Sequence, residues 1–119
     1  MVHNELNAWK EGMELVKQVY ALSASFPASE QFGLTSQIRR TVVSIPSNIA
    51  EGCGRNSDKE LVRFCWIAKG SLSEVETQTI IAKELGYVEN VDDTLTELRK
   101  VRKILSGFIK YIENKSPTC

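Results

Sequence analysis

A chain of 119 residues with 15 basic and 15 acidic side chains, 42% hydrophobic and 25% charged, is long enough for one core and carries no net charge. That balance leaves no room for a catalytic domain beside a separate binding domain, and it argues against both disorder and the small, strongly basic type of nucleic-acid-binding protein. No apolar run approaches the roughly 20 residues that cross a bilayer, so no membrane partner is expected. The opening Met-Val-His-Asn-Glu-Leu-Asn lacks the basic region and apolar stretch of a secretory signal, which makes the cytoplasm the expected compartment.

The apolar pattern is helical throughout. Leu6, Trp9, Met13, Val16 and Tyr20 recur at spacings of three and four, with Leu15, Val19 and Leu22 widening the face, and predict a first helix from about Glu5 to Ser25. Phe26-Pro27 ends it, because the residue before a proline is pushed out of the helical region, and Ser29 to Gly33 reads as a turn or short helical piece. Leu34, Ile38, Val42, Ile45 and Ile49 trace a second helix, closed by Gly52 and Gly54 where a left-handed cap is wanted. Ser57-Asp58-Lys59-Glu60 has the form of a capping box, the Ser57 hydroxyl accepting from the Glu60 amide and the Glu60 carboxylate reaching back.

A third helix of about seven turns follows through Leu61, Phe64 or Cys65, Ala68, Leu72, Val75, Thr79 and Ala82 to Leu85-Gly86. The fourth runs from about Asp92 to Asn114 on Leu95, Leu98, Val101 or Arg102, Leu105, Phe108 and Ile112, with Pro117 near its frayed end. No segment alternates with period two. The expected fold is all-α, a single domain over residues 1–119 arranged as an antiparallel up-down four-helix bundle.

The second helix carries the chain's most unusual stretch, Ser44-Ile-Pro-Ser-Asn-Ile-Ala-Glu-Gly-Cys-Gly-Arg55. Pro46 has no amide hydrogen for the carbonyl of Val42 and its ring crowds that carbonyl, at a cost of about 3 kcal/mol in an unsupported helix. A kink is expected there, with Ser44, Ser47 and Asn48 supplying local hydrogen bonds. Gln37, Thr41, Ser44, Asn48, Glu51 and Arg55 form a polar stripe about 100° around the helix from the apolar one. A plain solvent face has no use for a mid-helix proline, and Glu or Lys would serve it better than Ser, Asn or Gln. The stripe therefore reads as a subunit interface or an internal polar network. Gly70-Ser71 in the third helix, with Glu74 one turn on, points the same way, because close approach by another helix is a common reason to tolerate a mid-helix glycine.

Together with Phe26-Pro27, Glu30, Gly33-Leu34, Gln37, Phe64, Ala68-Lys69-Gly70-Ser71-Leu72 and Leu85-Gly86-Tyr87, this stretch resembles the family named after proteins encoded in intervening sequences of bacterial 23S ribosomal RNA genes. The match in order and spacing covers nearly the whole chain. The resemblance implies a four-helix bundle assembling as a ring-shaped homopentamer. It also points to a related branch, the accessory variability proteins of diversity-generating retroelements, which share that fold, have a basic surface and work with a reverse transcriptase and nucleic acid. This chain departs from that branch in having no net positive charge.

Residues suited to catalysis are sparse. His3 is the only histidine and lies at a terminus, so no Ser-His-Asp or Cys-His arrangement has a placed base. The Glu-x-x-His pairs of a bundle di-iron site are absent, and Gly52-Cys53-Gly54-Arg55 lacks the Gly-Lys-Ser/Thr of a phosphate-binding loop. Glu51 and Glu74 can be imagined as an acid and base, but read more simply as members of salt bridges or hydrogen-bonded pairs. Cys53, Cys65 and Cys119 match no zinc or disulfide spacing and are expected as reduced thiols, with Cys53 near enough to Arg55 for its thiol pKa to fall. Trp9, Trp66, Phe64 and Phe108 read as core or interface anchors. No cofactor or metal is expected, and the chain reads as no enzyme.

Charge is unevenly spread. Glu84, Glu89, Asp92, Asp93 and Glu97 form an acidic block, and Arg99, Lys100, Arg102, Lys103, Lys110 and Lys115 face the single acid Glu113; both blocks read as solvated helix faces. Two functions from different classes follow. The first is an oligomeric scaffold assembled from copies of itself through Gln37, Ser44, Pro46, Asn48, Glu51, Arg55, Gly70, Ser71 and Glu74, recruiting a protein partner. The second is an RNA- or DNA-binding module, or a partner of a nucleic-acid-processing protein, contacting phosphates through Arg39, Arg40, Arg55, Lys59 and Arg63 or through Arg99, Lys100, Arg102 and Lys103 and multiplied by avidity.

Overall fold

The computed structural model describes residues 2–115 as four long helices: α1 (Asn7–Ser23), α2 (Leu34–Cys53), α3 (Asp58–Glu84) and α4 (Asp92–Lys115). Short 3₁₀ turns at His3–Glu5 and Ala28–Glu30 complete the regular structure, and no strand occurs among the described residues. Pro117 and Cys119 lie outside them. Each helix packs on its neighbours in sequence and α1 also packs on α4, so the four close into a cycle measuring 52 × 24 × 20 Å.

The helix boundaries follow the sequence signals to within two residues, but the buried stripe of α1 does not. It runs through Ala8, Gly12, Leu15, Val19 and Ser23, while Met13 and Tyr20 are exposed. The periodicity of large residues points one side too far round, because the closest contact is made by small ones. A Cβ on Gly12 would sit 3.7 Å from Ile45 Cγ2 and from Pro46 Cβ. The helix that carries the proline thus meets α1 at that proline.

In α2 the expected Ile38, Val42, Ile45 and Ile49 are fully buried, and the helix continues through buried Pro46 to Cys53. Its start is held by Glu30, whose carboxylate accepts from the Leu34 amide at 2.9 Å and from the Tyr87 hydroxyl at 2.7 Å. A side chain on Gly33 would collide with that carboxylate, its Cβ falling 2.5 Å from Oε1. At the other end the cap differs from expectation: Gly54 is right-handed (φ −80°), and Gly52 is required for space. A Cβ there would lie 2.9 Å from Phe64 Cβ and 3.2 Å from the Leu61 carbonyl oxygen.

The left-handed cap belongs to α3. Gly86 has φ +78°, with the Tyr87 amide donating to the Ala82 carbonyl and the Gly86 amide to Lys83, the paired bonds of a Schellman motif. At the start of α3, Ser57 Oγ accepts from the Glu60 amide at 3.2 Å, one half of the capping box. The other half is displaced, since the Glu60 carboxylate takes both guanidinium nitrogens of Arg63 at 2.9 and 3.2 Å. Phe64 and Cys65 are both buried in α3. In α4 the buried stripe is Thr94, Leu98, Val101, Leu105, Ile109 and Ile112. Val101 is thereby the core residue and Arg102 turns toward α3, while Leu95 and Phe108 sit at the margin of the core.

Candidate functional site

Two flanks of α3 gather most of the residues singled out by sequence. Against α2, the polar stripe forms a connected network. Thr41 Oγ1 donates to the Gln37 carbonyl at 2.8 Å, Ser44 Oγ to the Thr41 carbonyl at 2.6 Å, and Asn48 Nδ2 to the Ser44 carbonyl at 2.7 Å. Ser44 Oγ also lies 2.8 Å from Ser71 Oγ. With its single proton committed to Thr41, it is the acceptor in that bond. Gln78 Nε2 reaches Thr41 Oγ1 at 3.4 Å, and its buried Oε1 has no partner. Thr41 and Ser44 of the stripe are thus bonded to Gln78 and Ser71 of α3, while Asn48 bonds within α2 and Glu51 pairs with Arg55.

Gly70 is not part of that contact. A Cβ on it would meet nothing within 4 Å, so close packing inside the chain is not what this glycine provides. Around it the outer surface of α3 is unusually apolar, with Ile67, Ile81 and Leu85 exposed on the α2 side and Trp66 and Ile80 on the α4 side. Phe32, in the turn before α2, is 91% exposed. It lines a surface cavity of about 500 Å³ with Gly33, Ser36, Gln37, Arg40, Thr41 and Glu74. Glu74 therefore belongs to the Gln37 end, whereas Glu51 pairs with Arg55 at 3.1 Å at the far end of α2. Along α2, Glu51 lies ten residues, nearly three turns, beyond Thr41 at the Glu74 cavity, too far for the two carboxylates to act as an acid and base.

Against α4, Arg102 bonds Glu76 at 2.8 Å, and below it a second cavity of about 350 Å³ opens between the helices. It is lined by Trp66, Lys69, Ser106, Gly107, Ile109, Lys110 and Glu113. Trp66 is 51% exposed, so of the two anchor roles expected for it the core one does not apply, and Lys69 Nζ lies 4.7 Å from its ring centroid. Spacing alone could not have placed it, because apolar side chains are scattered around α3 among its charged ones.

The cations proposed for phosphate contact divide into two groups. Arg39 is a structural clamp: Nε donates to Ser23 Oγ at 2.8 Å, a terminal nitrogen to the Tyr20 carbonyl at 3.3 Å, and the guanidinium covers the Tyr20 ring. Arg63 is held by Glu60 and Arg55 by Glu51, and both lie over the Phe64 ring. Lys100 pairs with Glu11 at 3.3 Å and Arg102 with Glu76. Arg40, Lys59, Arg99 and Lys103 are exposed and form no ion pair among the described residues.

The acidic block is not wholly a solvated face. Burial pushes the Glu97 carboxyl up to about 7, helped by a hydrogen bond and repulsion from Glu11 and opposed by Lys100. Glu11 moves the other way, lowered by that same hydrogen bond and by Lys100. Two facing carboxylates are both acceptors, so a hydrogen bond between them requires that one carry a proton, which the raised Glu97 pKa favours. Of the thiols, Cys53 departs from expectation, since burial raises its pKa, while Cys65 is a buried core residue raised by burial to about 12, so both are poor nucleophiles. His3 packs edge-on against Trp9 with ring centroids 5.4 Å apart. Among the described residues no group of three or more His, Cys, Asp or Glu is disposed to hold a metal ion, and no helix is long and apolar enough to cross a membrane.

A comparison with curated proteins finds no match. The family model described as 23S rRNA-intervening sequence protein matches residues 4–107, a span that includes Pro46, the polar network, the Gly86 cap and most of the α3–α4 cavity. The chain belongs to the 23S rRNA-intervening sequence protein family.

Proposed function

We propose that this chain is a non-enzymatic assembly scaffold: an antiparallel up-down bundle, with α2 kinked at Pro46, that associates with copies of itself into a ring through the α2–α3 flank. The contacts Ser44–Ser71, Thr41–Gln78 and Gly52–Phe64 support the antiparallel arrangement, since residue numbers rise along one helix as they fall along the other. The observation that carries the assembly reading is the surface of α3, where Ile67, Ile81 and Leu85 stand exposed beside the polar network with Gly70 open between them. A small residue flanked by uncovered aliphatic side chains gives another helix room to approach and apolar area to bury. The α2 network then serves as a floor, with Ser44 and Thr41 already bonded to Ser71 and Gln78 of α3. The pentameric count rests on the family resemblance.

Replacing Ile67 and Ile81 together by glutamate tests the reading. Both are surface positions, so helical content should change little while the mass in solution falls to that of one chain. An assembled mass unchanged by the double substitution would remove the α2–α3 flank as the contact.

A further inference from the structure

We propose that the groove between α3 and α4 binds single-stranded nucleic acid, with Trp66 stacking on a base and the unpaired cations of α4 contacting the phosphates. This goes beyond the assembly reading and uses the other flank of α3. The cavity already joins an exposed indole to Lys69 and Lys110. Arg99, Lys103, Ser106 and Lys110 follow one another at spacings of four, three and four, so the two unpaired cations lie on the same stripe of α4 as the two residues that line the cavity. From Arg99 to Lys110 that stripe is about 16 Å long. Gly107 faces the cavity with nothing within 4 Å of a built Cβ, which leaves the stripe open where a bulky residue would close it.

The chemistry selects the occupant. A base needs a flat aromatic face and its phosphates need cations spaced along the strand, and stacking accepts any base because each has a π-face. Covering the same groove with another protein would strip water from Lys69 and Lys110 with only Glu113 in the lining to pair them, which is unfavourable for a dry contact. The zero net charge of the chain does not oppose the site, because Glu113 is the one acid of the cavity lining against Lys69 and Lys110, and Glu76 is engaged by Arg102.

The test is anisotropy of a labelled single-stranded RNA 12-mer titrated with the full-length protein at several salt concentrations, with oligomer mass measured in the same buffer. Binding in the micromolar range at low salt is expected, with log affinity falling against log salt at a slope of about −2 to −3 for three or four phosphates. Trp66→Ala should weaken binding about tenfold or more, Trp66→Phe should keep most of it, and Lys103→Glu with Lys110→Glu should abolish it, all at unchanged mass. In a Trp9→Phe background, the remaining tryptophan emission should be quenched on saturation. No binding at the lowest salt, or binding indifferent to Trp66→Ala, overturns the proposal. A change of mass on substituting Trp66 or Lys110 would assign the groove to a subunit contact and overturn it as well, while the mass of the unsubstituted protein reports separately on assembly.

Discussion

The two flanks of α3 are built from different materials. Toward α2, hydroxyls and amides bond one another across the helix pair and the backbones approach so closely that Gly52 has no room for a methyl group. Toward α4, one ion pair spans the seam and the helices part around a basic, aromatic cavity. A closed polar seam makes a rigid platform with few groups left to offer a ligand; an open seam leaves cations and an indole ready for one. The same helix can therefore serve assembly on one side and binding on the other.

The sharpest way to break the contrast is at Gly52. Gly52→Ala should cost about 2 to 3 kcal/mol by urea unfolding, because the new methyl meets the Leu61 carbonyl and Phe64 Cβ and the helices must separate. Gly107→Ala, on the open flank, should instead stabilise by up to about 1 kcal/mol, since nothing stands within 4 Å and alanine favours the helix. Equal costs would show that the two seams are equally tight.

A smaller effect is expected from Ser71→Ala. It removes the donor to Ser44 Oγ, and thermal unfolding should show a loss of about 1 kcal/mol. No change would mean that the network contributes register without stability.

The third expectation concerns pH. Glu97 keeps its proton up to about pH 7 in the folded chain but loses it around 4.5 when unfolded. Between those values the folded state holds more protons, so this group's contribution to stability falls as pH rises from about 4.5 through 7. Lowering of Glu11 acts in the opposite sense, and below that window, where its stabilisation is lost as pH falls. Glu97→Gln should flatten the decline and gain on the order of 1 kcal/mol at pH 8. A decline just as steep in the variant would place its origin elsewhere.

The smallest effect on stability is predicted for Lys103→Glu with Lys110→Glu. These charges are exposed, and the unfolding midpoint should move by no more than about 0.5 kcal/mol while the groove loses its cations.

The sequence made the helices legible because caps and prolines are local. Ser57 and Pro27 act within a turn of themselves, and the apolar periods of α2 and α4 need only one face. It also made the α2 stripe legible, since serine and asparagine in a helix interior are poor choices without partners. Where small residues set the contact, the reading slipped: Ala8 and Gly12 define the buried side of α1, but periodicity weights the large Trp9 and Met13. Gly70 and Gly52 look alike in sequence, and only the neighbouring helix distinguishes an open glycine from an obligatory one. Trp66 was invisible as an exposed residue because apolar side chains are scattered around α3 rather than confined to one face, and the pairing of Arg39 with Ser23 and Tyr20 joins residues 16 and 19 apart that no local rule connects.

The most direct measurement is the native mass of the full-length protein near neutral pH and physiological salt, where the scaffold account predicts a discrete closed assembly, five times 13.4 kDa if the family's ring is kept. A single species of 13.4 kDa at micromolar concentration would contradict it, and would leave the exposed aliphatic surface of α3 without the partner proposed for it.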